Sequence, residues 1–133
     1  MDKTAAEKKE PTCSQELRAM RDSLDILGGK WKLRILQYLS NRQQEELHFK
    51  KIQREIEGIS AKMLSKELKD LETNLLITRS IQEEPEHKVR YAITEYGKSA
   101  VPITAQLVDW GLQHRDKIKT SIKTEKNNDK SQL

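Results

Sequence analysis

Residues 58–79 read GISAKMLSKELKDLETNLLITR, and the interpretation of the whole chain depends on this stretch. Its leucines recur every three or four residues, which predicts a helix with one buried stripe. Ser60 is a good N-cap for that helix. The stripe consists of Leu64, Leu68, Leu71 and Leu75. The opposite side is rich in lysine and serine, so it is either a solvated surface or a surface that contacts nucleic acid.

A second, shorter helix is predicted immediately before this one. Residues 47–58, LHFKKIQREIEG, carry Phe49, Ile52 and Ile56 at helical spacing and end in a glycine. Two helices joined by a turn of about four residues that contains Gly are typical of a helix-turn-helix motif. Many helical hairpins share this pattern, so the neighbouring segments have to support it.

Two strands are predicted after the helix-turn-helix. Residues 77–82, ITRSIQ, and residues 88–94, KVRYAIT, flank the polar turn EEPEH. In the second segment Val89, Tyr91 and Ile93 alternate with other residues, which is the period of a half-buried strand. Helices followed by such a hairpin, or wing, predict a winged helix-turn-helix, an order more specific than any single element.

Two more helices are predicted upstream. Thr12 and Gln15 form a capping-box pattern after Pro11, and the glycines at 28 and 29 end the first helix. Its apolar stripe is Leu17, Met20, Leu24 and Leu27, and the stripe of the next helix is Trp31, Ile35, Tyr38 and Leu39.

A long amphipathic helix is predicted at the C-terminal end. Thr94 caps a helix, and Pro102 kinks or restarts it. The segment from Pro102 to about Ile122 carries Ile103, Leu107 and Trp110 on one stripe. This stripe exceeds what one small core covers, so we expect it to form a dimer interface.

The predicted fold class is mainly α with a small β-hairpin: a winged helix-turn-helix with N- and C-terminal dimerisation helices. The 133 residues suit one compact domain, which we place at residues 12–122. Residues 1–11 and the basic residues 123–133 are polar and lack periodicity, so we expect them to be disordered tails.

Composition disfavours several other classes of protein. No apolar run approaches the roughly 18 residues of a membrane span, so we expect no membrane contact and a cytoplasmic protein. Cys13 is the only cysteine, which excludes an intramolecular disulfide, and the three distant histidines indicate no metal site. No glycine-rich phosphate loop or nucleophile–base pairing indicates an enzyme, and no cofactor is expected.

The net charge of +4 does not by itself indicate nucleic-acid binding. Residues 11–114 hold 16 Lys/Arg and 15 Asp/Glu, whereas residues 115–133 hold 6 and 3. DNA contact therefore needs a local patch. The second helix of a helix-turn-helix enters the major groove, where Lys and Ser can bond base edges, and the helix start suits a phosphate. The candidates there are Ser60, Lys62, Ser65, Lys66 and Lys69.

The wing supplies a second group of candidates. Arg79, Lys88 and Arg90 are placed where a wing can lie along the minor groove or the adjacent backbone. The glutamates at 83, 84 and 86 make the loop acidic, so Lys88 and Arg90 are expected to matter more than the tip. Lys50 is a further phosphate candidate.

Three blocks of the sequence resemble the HxlR-type winged helix-turn-helix regulators of bacteria and archaea. They are LDILGGKWKLRILQYL at residues 24–39, the stretch at residues 58–79, and KVRYAITEYGKS at residues 88–99. The resemblance implies a homodimer that binds operator DNA and represses or activates nearby genes. It also implies that a metabolite or reactive electrophile often acts as the signal, so a small-molecule effector is possible.

Position by position, the resemblance adds further assignments. Lys62 and Met63 match the start of the recognition helix, S-x-K-M-L, which adds Met63 to the DNA contacts, and Trp31 matches a packing residue of the GGKW block. The family's dimer contacts come from the terminal helices. Here these helices offer Leu17, Met20, Leu24, Ile103, Leu107 and Trp110.

Two positions depart from the pattern of the family. Cysteines of thiol-sensing members lie closer to the GGKW block and are often followed by proline. Cys13 lies further upstream and precedes Ser14, so a redox-sensing role is the weaker interpretation of this residue. Glu86 and His87 stand where prolines usually precede the second wing strand, which makes wing contacts less secure than those of the recognition helix.

The expected function is that of a dimeric transcriptional regulator. Two Ser60–Thr73 helices would enter successive major grooves about one helical turn apart, on a roughly palindromic operator. The alternative is a winged-helix module that binds a protein partner through the same face without specific DNA binding.

Overall fold

The computed structural model describes residues 9–83 and 88–131. Helices and a small sheet follow one another in the predicted order. They are α1 (Cys13–Leu27), α2 (Lys32–Asn41), β1 (Leu47–His48), α3 (Phe49–Glu55), α4 (Ala61–Thr73), β2 (Ile77–Gln82), β3 (Lys88–Ile93), α5 (Glu95–Lys98) and α6 (Val101–Ser131). The winged helix-turn-helix prediction is confirmed, with α3 and α4 as its two helices.

One core holds α2, α3, α4 and the sheet together. The apolar stripe of α4 is confirmed at three of its four positions, because Leu64, Leu68 and Leu71 are fully buried. They pack with Ile35 of α2, Ile52 of α3 and the other buried residues of one contiguous cluster. This packing fixes which side of α4 remains in solvent.

The prediction that Leu75 is the fourth buried residue of this stripe is wrong. Leu75 adopts φ 67° and its side chain is 70% exposed, because the helix has already ended. The Leu76 N–H donates to Leu71 O at 3.0 Å and the Leu75 N–H to Glu72 O at 3.0 Å, which is a Schellman turn. Leu76 is buried in its place.

The predicted hairpin is part of a three-stranded antiparallel sheet with the order β1-β3-β2. β2 and β3 form the wing, with Arg79 opposite Tyr91. The two-residue strand β1 pairs on the other edge of β3, with Leu47 opposite Tyr91. A strand this short leaves no alternating pattern in the sequence, so the prediction of a hairpin alone was incomplete.

The predicted helix caps are present at both ends of the domain. Thr12 and Gln15 form the reciprocal capping box, and Gly28 ends α1. The Thr94 hydroxyl accepts from the Gly97 N–H at 2.8 Å and lies 2.8 Å from Leu75 O, to which it donates. Thr94 therefore ties the start of α5 to the end of the recognition helix.

α6 begins one residue before Pro102 and continues to Ser131. Pro102 thus restarts the helix, as predicted, but the expectation of a disordered tail from residue 123 is wrong as far as residue 131. No glycine or proline follows Gly111, and Lys and Glu favour helix, so nothing local stops it. Residues 1–8 and 132–133, which were expected to be disordered, lie outside the described residues, as does most of the acidic wing loop.

Within residues 9–83 and 88–131, no helix is both long and apolar enough to cross a membrane.

Candidate nucleic-acid interface

The solvent side of α4 carries the candidate DNA contacts together. Lys62, Ser65, Lys66 and Lys69 are all exposed, and Met63 is at the edge of this side. Ser60 accepts from the Met63 N–H at 3.1 Å, so its hydroxyl caps the helix. The lysines form a continuous cationic surface because the leucine stripe faces the core.

Two of the three carboxylates of α4, Glu67 and Asp70, do not lie on that surface. Glu67 is only 6% exposed and faces α2, where its Oε2 lies 2.7 Å from Lys32 Nζ. Asp70 Oδ2 lies 3.5 Å from the same nitrogen. Burial alone would lower the pKa of Lys32, but its contact with Glu67 and the charges of Glu67 and Asp70 outweigh burial and raise the pKa. Lys32 therefore remains charged and neutralises the acidic side of the recognition helix.

A polar cleft of about 340 Å³ separates α4 from the wing. Ser65, Lys69 and Glu72 line it from α4, and Arg79 and Tyr91 line it from the two wing strands. The structure thus brings Arg79 close to two of the α4 candidates. Neither Glu72 nor Tyr91 was among the predicted site residues.

Lys50 and Lys88 lie together in a different groove, of about 380 Å³, between the start of α3 and the wing. His48 and Val89 also line this groove, and His48 Nδ1 lies 2.9 Å from Val89 O. Arg90 is not part of either basic group, because its Nη1 faces Glu46 Oε1 at 3.9 Å. The predicted wing residues are therefore divided among three places.

Trp31 and the adjacent cations lie at the start of α2. The ring is partly buried against the core, which agrees with a packing role. Arg34 lies over the ring at 4.6 Å from its centroid and Lys30 at 5.1 Å.

The expected dimer residues remain uncovered in the single chain. Leu17, Met20 and Leu24 are exposed on α1, a helix without a single buried residue. The residues Ile103, Leu107 and Trp110 are exposed on α6. Trp110 stacks on His114 with the ring centroids 5.0 Å apart.

Cys13 is exposed at the first position of α1. Within the part of the chain that the structure describes, no group of three or more His, Cys, Asp or Glu side chains is placed to hold a metal ion.

Three residues of the site, Lys32, Glu72 and Tyr91, were not predicted from the sequence. Lys32 is one of many charged residues in its segment, and only the fold shows that it lies against Glu67. Glu72 follows Lys69 by three residues on α4, so helical spacing alone could have placed it on the same side. Tyr91 was predicted as a strand residue, but its position beside Arg79 depends on the register of the hairpin.

The model of the HxlR-like helix-turn-helix family matches residues 26–119. The HTH-type transcriptional regulator YdeP of Bacillus subtilis (strain 168) is 33% identical over 96 residues, which cover 72% of this chain and 73% of YdeP. An HTH-type transcriptional regulator of Methanothermobacter thermautotrophicus is 37% identical over 102 residues, covering 77% of this chain and 72% of that protein.

Solved structures agree with this assignment. The reduced form of the transcriptional regulator YodB from B. subtilis is 32% identical, with a TM-score of 0.62, and the match covers 71% of this chain and 90% of YodB. These relatives are transcriptional regulators rather than enzymes. The family match spans more than half of the sequence, and the fold, the wing and the recognition helix are all present. The chain belongs to the HxlR-like helix-turn-helix family of DNA-binding transcriptional regulators.

Proposed function

We propose that this chain binds a specific operator as a homodimer and inserts one α4 helix into the major groove of each half-site. The observation that carries the proposal is the separation of charge on α4. Its lysines face solvent, while Glu67 and Asp70 are held by Lys32 on the opposite side. The first two turns of such a helix present donors to guanine edges, and the one carboxylate there, Glu67, is buried against Lys32.

The first two turns of α4 are the proposed base-reading segment. Lys62 and Lys66 follow each other by one turn and can donate to guanine O6 and N7, while Ser65 can donate or accept. Met63 offers an apolar contact for a thymine methyl group. Ser60 already caps the helix, so we assign the phosphate contact at this end to the backbone N–H groups.

Lys69 of α4 and several cations outside this helix are proposed to contact the DNA backbone. Lys69 and Arg79 do so from the cleft between α4 and the wing, and Lys50 and Lys88 do so from the groove at the start of α3. Arg90 is proposed as a weaker contact because Glu46 lies beside it. These contacts position the protein without reading the sequence.

A homodimer is proposed from the uncovered apolar stripes of α1 and α6. A 15-residue helix with no buried residue, whose contact with the core is made by its last residue, Leu27, gains little packing energy from its own chain. A second copy would cover Leu17, Met20 and Leu24 together with the Ile103–Trp110 stripe. Two copies related by a two-fold axis would require a roughly palindromic operator with half-sites about one helical turn apart.

Fluorescence anisotropy tests this function with DNA from beside the protein's own gene, titrated with salt and with unrelated DNA. We expect tight binding that resists the competitor and weakens steeply as salt rises.

The double variant Lys62→Ala/Lys66→Ala should lose operator binding but keep its oligomeric state. The matched control Lys117→Ala/Lys119→Ala removes two exposed lysines from α6 and should bind nearly as the unchanged protein does. Equal binding by both double variants would refute the assignment of α4. Weak binding that the unrelated DNA removes equally well would leave two alternatives, an operator elsewhere or a protein partner for the same face.

A further inference from the structure

The cleft between α4 and the wing has two walls that carry different chemistry. Ser65, Lys69 and Glu72 follow one another by three or four residues, so they lie along one side of α4. Arg79 stands on the opposite wall, next to Tyr91 of the paired strand. The cleft is therefore bounded by a cation on each side and contains two hydroxyl groups.

Several cations in the described part of the chain lie beside a carboxylate, whereas Lys69 and Arg79 do not. Lys32 lies 2.7 Å from Glu67, Lys51 lies 2.7 Å from Glu45, and Lys98 lies 2.6 Å from Glu95. Neither Lys69 nor Arg79 forms an ion pair with any residue that the structure describes. Glu72 in the same cleft also has no ion-pair partner there. Two unpaired cations that face each other across a cleft are suited to an anion.

The charge of the cleft indicates which anion it suits. Lys69, Arg79 and Glu72 together leave one net positive charge. A phosphodiester carries one negative charge, whereas a phosphate monoester carries about 1.5 to 2 near neutral pH. The guanidinium of Arg79 can hold two phosphate oxygens at once, while the Ser65 and Tyr91 hydroxyls can donate to a phosphate oxygen.

We propose that this cleft binds one phosphodiester of the DNA backbone, with Arg79 and Lys69 as the cationic contacts. In this proposal the negative charge of Glu72 lowers the affinity for DNA of any sequence. The proposal rests on the proposed function, since DNA is the source of the phosphodiester. Glu72 subtracts attraction from every phosphate contact at this place. It therefore lowers binding to all sequences, and base contacts of α4 become more important for tight binding.

The first test uses an unrelated DNA duplex, so that it does not depend on sequence-specific binding. At about 1 per phosphate contact, removing the contact from both protomers of the dimer should reduce the slope of log K against log salt by about 2. We expect this reduction for Arg79→Gln and for Lys69→Gln, whereas Glu72→Gln should bind the same duplex more tightly. Arg115→Gln is the matched control, since it removes an exposed cation of α6 and should leave the slope unchanged.

The second test locates the phosphate in a footprinted operator. Single neutral methylphosphonates are placed at each backbone position, and anisotropy compares the unchanged protein with Arg79→Gln. At one position in each half-site, the neutral group should weaken the unchanged protein by roughly tenfold and leave the variant nearly unaffected. Thermal melting of each variant confirms that the fold is retained.

Several results would overturn the proposal. If the salt slope is unchanged in both Arg79→Gln and Lys69→Gln, the cleft does not bind a DNA phosphodiester, even if operator binding is specific. The same conclusion follows if no methylphosphonate position couples to Arg79. If millimolar inorganic phosphate shifts the amide resonances of Ser65 and Lys69 but leaves the affinity for DNA unchanged at constant ionic strength, the cleft is a site for small anions and not for a phosphodiester.

Discussion

Lys32 Nζ on α2 lies 2.7 Å from Glu67 Oε2 on the recognition helix, and both side chains are largely buried. Removing the amine leaves two carboxylates of α4 uncompensated. Lys32→Met should therefore reduce the free energy of unfolding by about 2–4 kcal/mol in urea denaturation. Lys32→Met/Glu67→Met should recover most of this loss because no buried charge remains. A double variant less stable than Lys32→Met would contradict this account.

Leu75 has a backbone conformation that favours glycine. Its φ of 67° is costly for a side chain with a Cβ, and the side chain is mostly solvent-exposed. Leu75→Gly should raise the free energy of unfolding by about 0.5–1 kcal/mol. Asn74→Gly is the matched control, because Asn74 has φ −90° and should gain nothing. Loss of stability in Leu75→Gly would show that the leucine side chain makes a contact that outweighs the strain.

Tyr38 should make the stability depend on pH in alkaline solution. Burial, assisted by the charge of Glu55, raises the pKa of Tyr38 to about 12. The folded state thus favours the neutral phenol, and this contribution is complete below pH 10 and is lost as the pH rises from 10 to 12. Tyr38→Phe should lose less stability over that range than the unchanged protein in urea titrations. The control is Tyr96→Phe, at an exposed tyrosine. Identical profiles for all three proteins would be evidence against this role.

The stripe of α6 should control oligomeric state. Trp110→Glu places a charge at the centre of the proposed interface, so the dimer dissociation constant should rise at least tenfold. Sedimentation velocity measures this constant, and operator affinity should fall with it. Thr120→Glu introduces the same charge about a quarter-turn or more away from the stripe and should leave the dimer unchanged. If the unsubstituted protein sediments as a monomer, the proposed homodimer is wrong.

Periodic apolar residues predicted the helices and the wing, since core positions of helices and strands repeat along the chain. The same rule misplaced Leu75, because the end of α4 is set by a Schellman turn and not by the leucine spacing. β1 was missed because two residues have no period. The end of α6 was misplaced because polar composition without a helix breaker is compatible with both a helix and a tail.

The candidate site was predicted less completely than the fold. Exposed lysines of α4 follow from the leucine stripe, so Lys62, Lys66 and Lys69 could be placed on one face. The contact of Lys32 with Glu67 joins residues that are far apart in sequence, and no local pattern encodes it. The cleft requires the register of Arg79 with Tyr91 and the packing of the wing against α4, both of which depend on tertiary structure.

The short strand β1 has a further consequence for regulation. It ties the start of α3 to the wing strand β3, through the Leu47–Tyr91 pair and the His48–Val89 contact. α3, α4 and the wing then form one preorganised DNA-binding unit, which loses little conformational entropy when it binds DNA. We expect a signal to change operator affinity by altering the distance between the two DNA-binding units of the proposed dimer, and not by folding or unfolding either one.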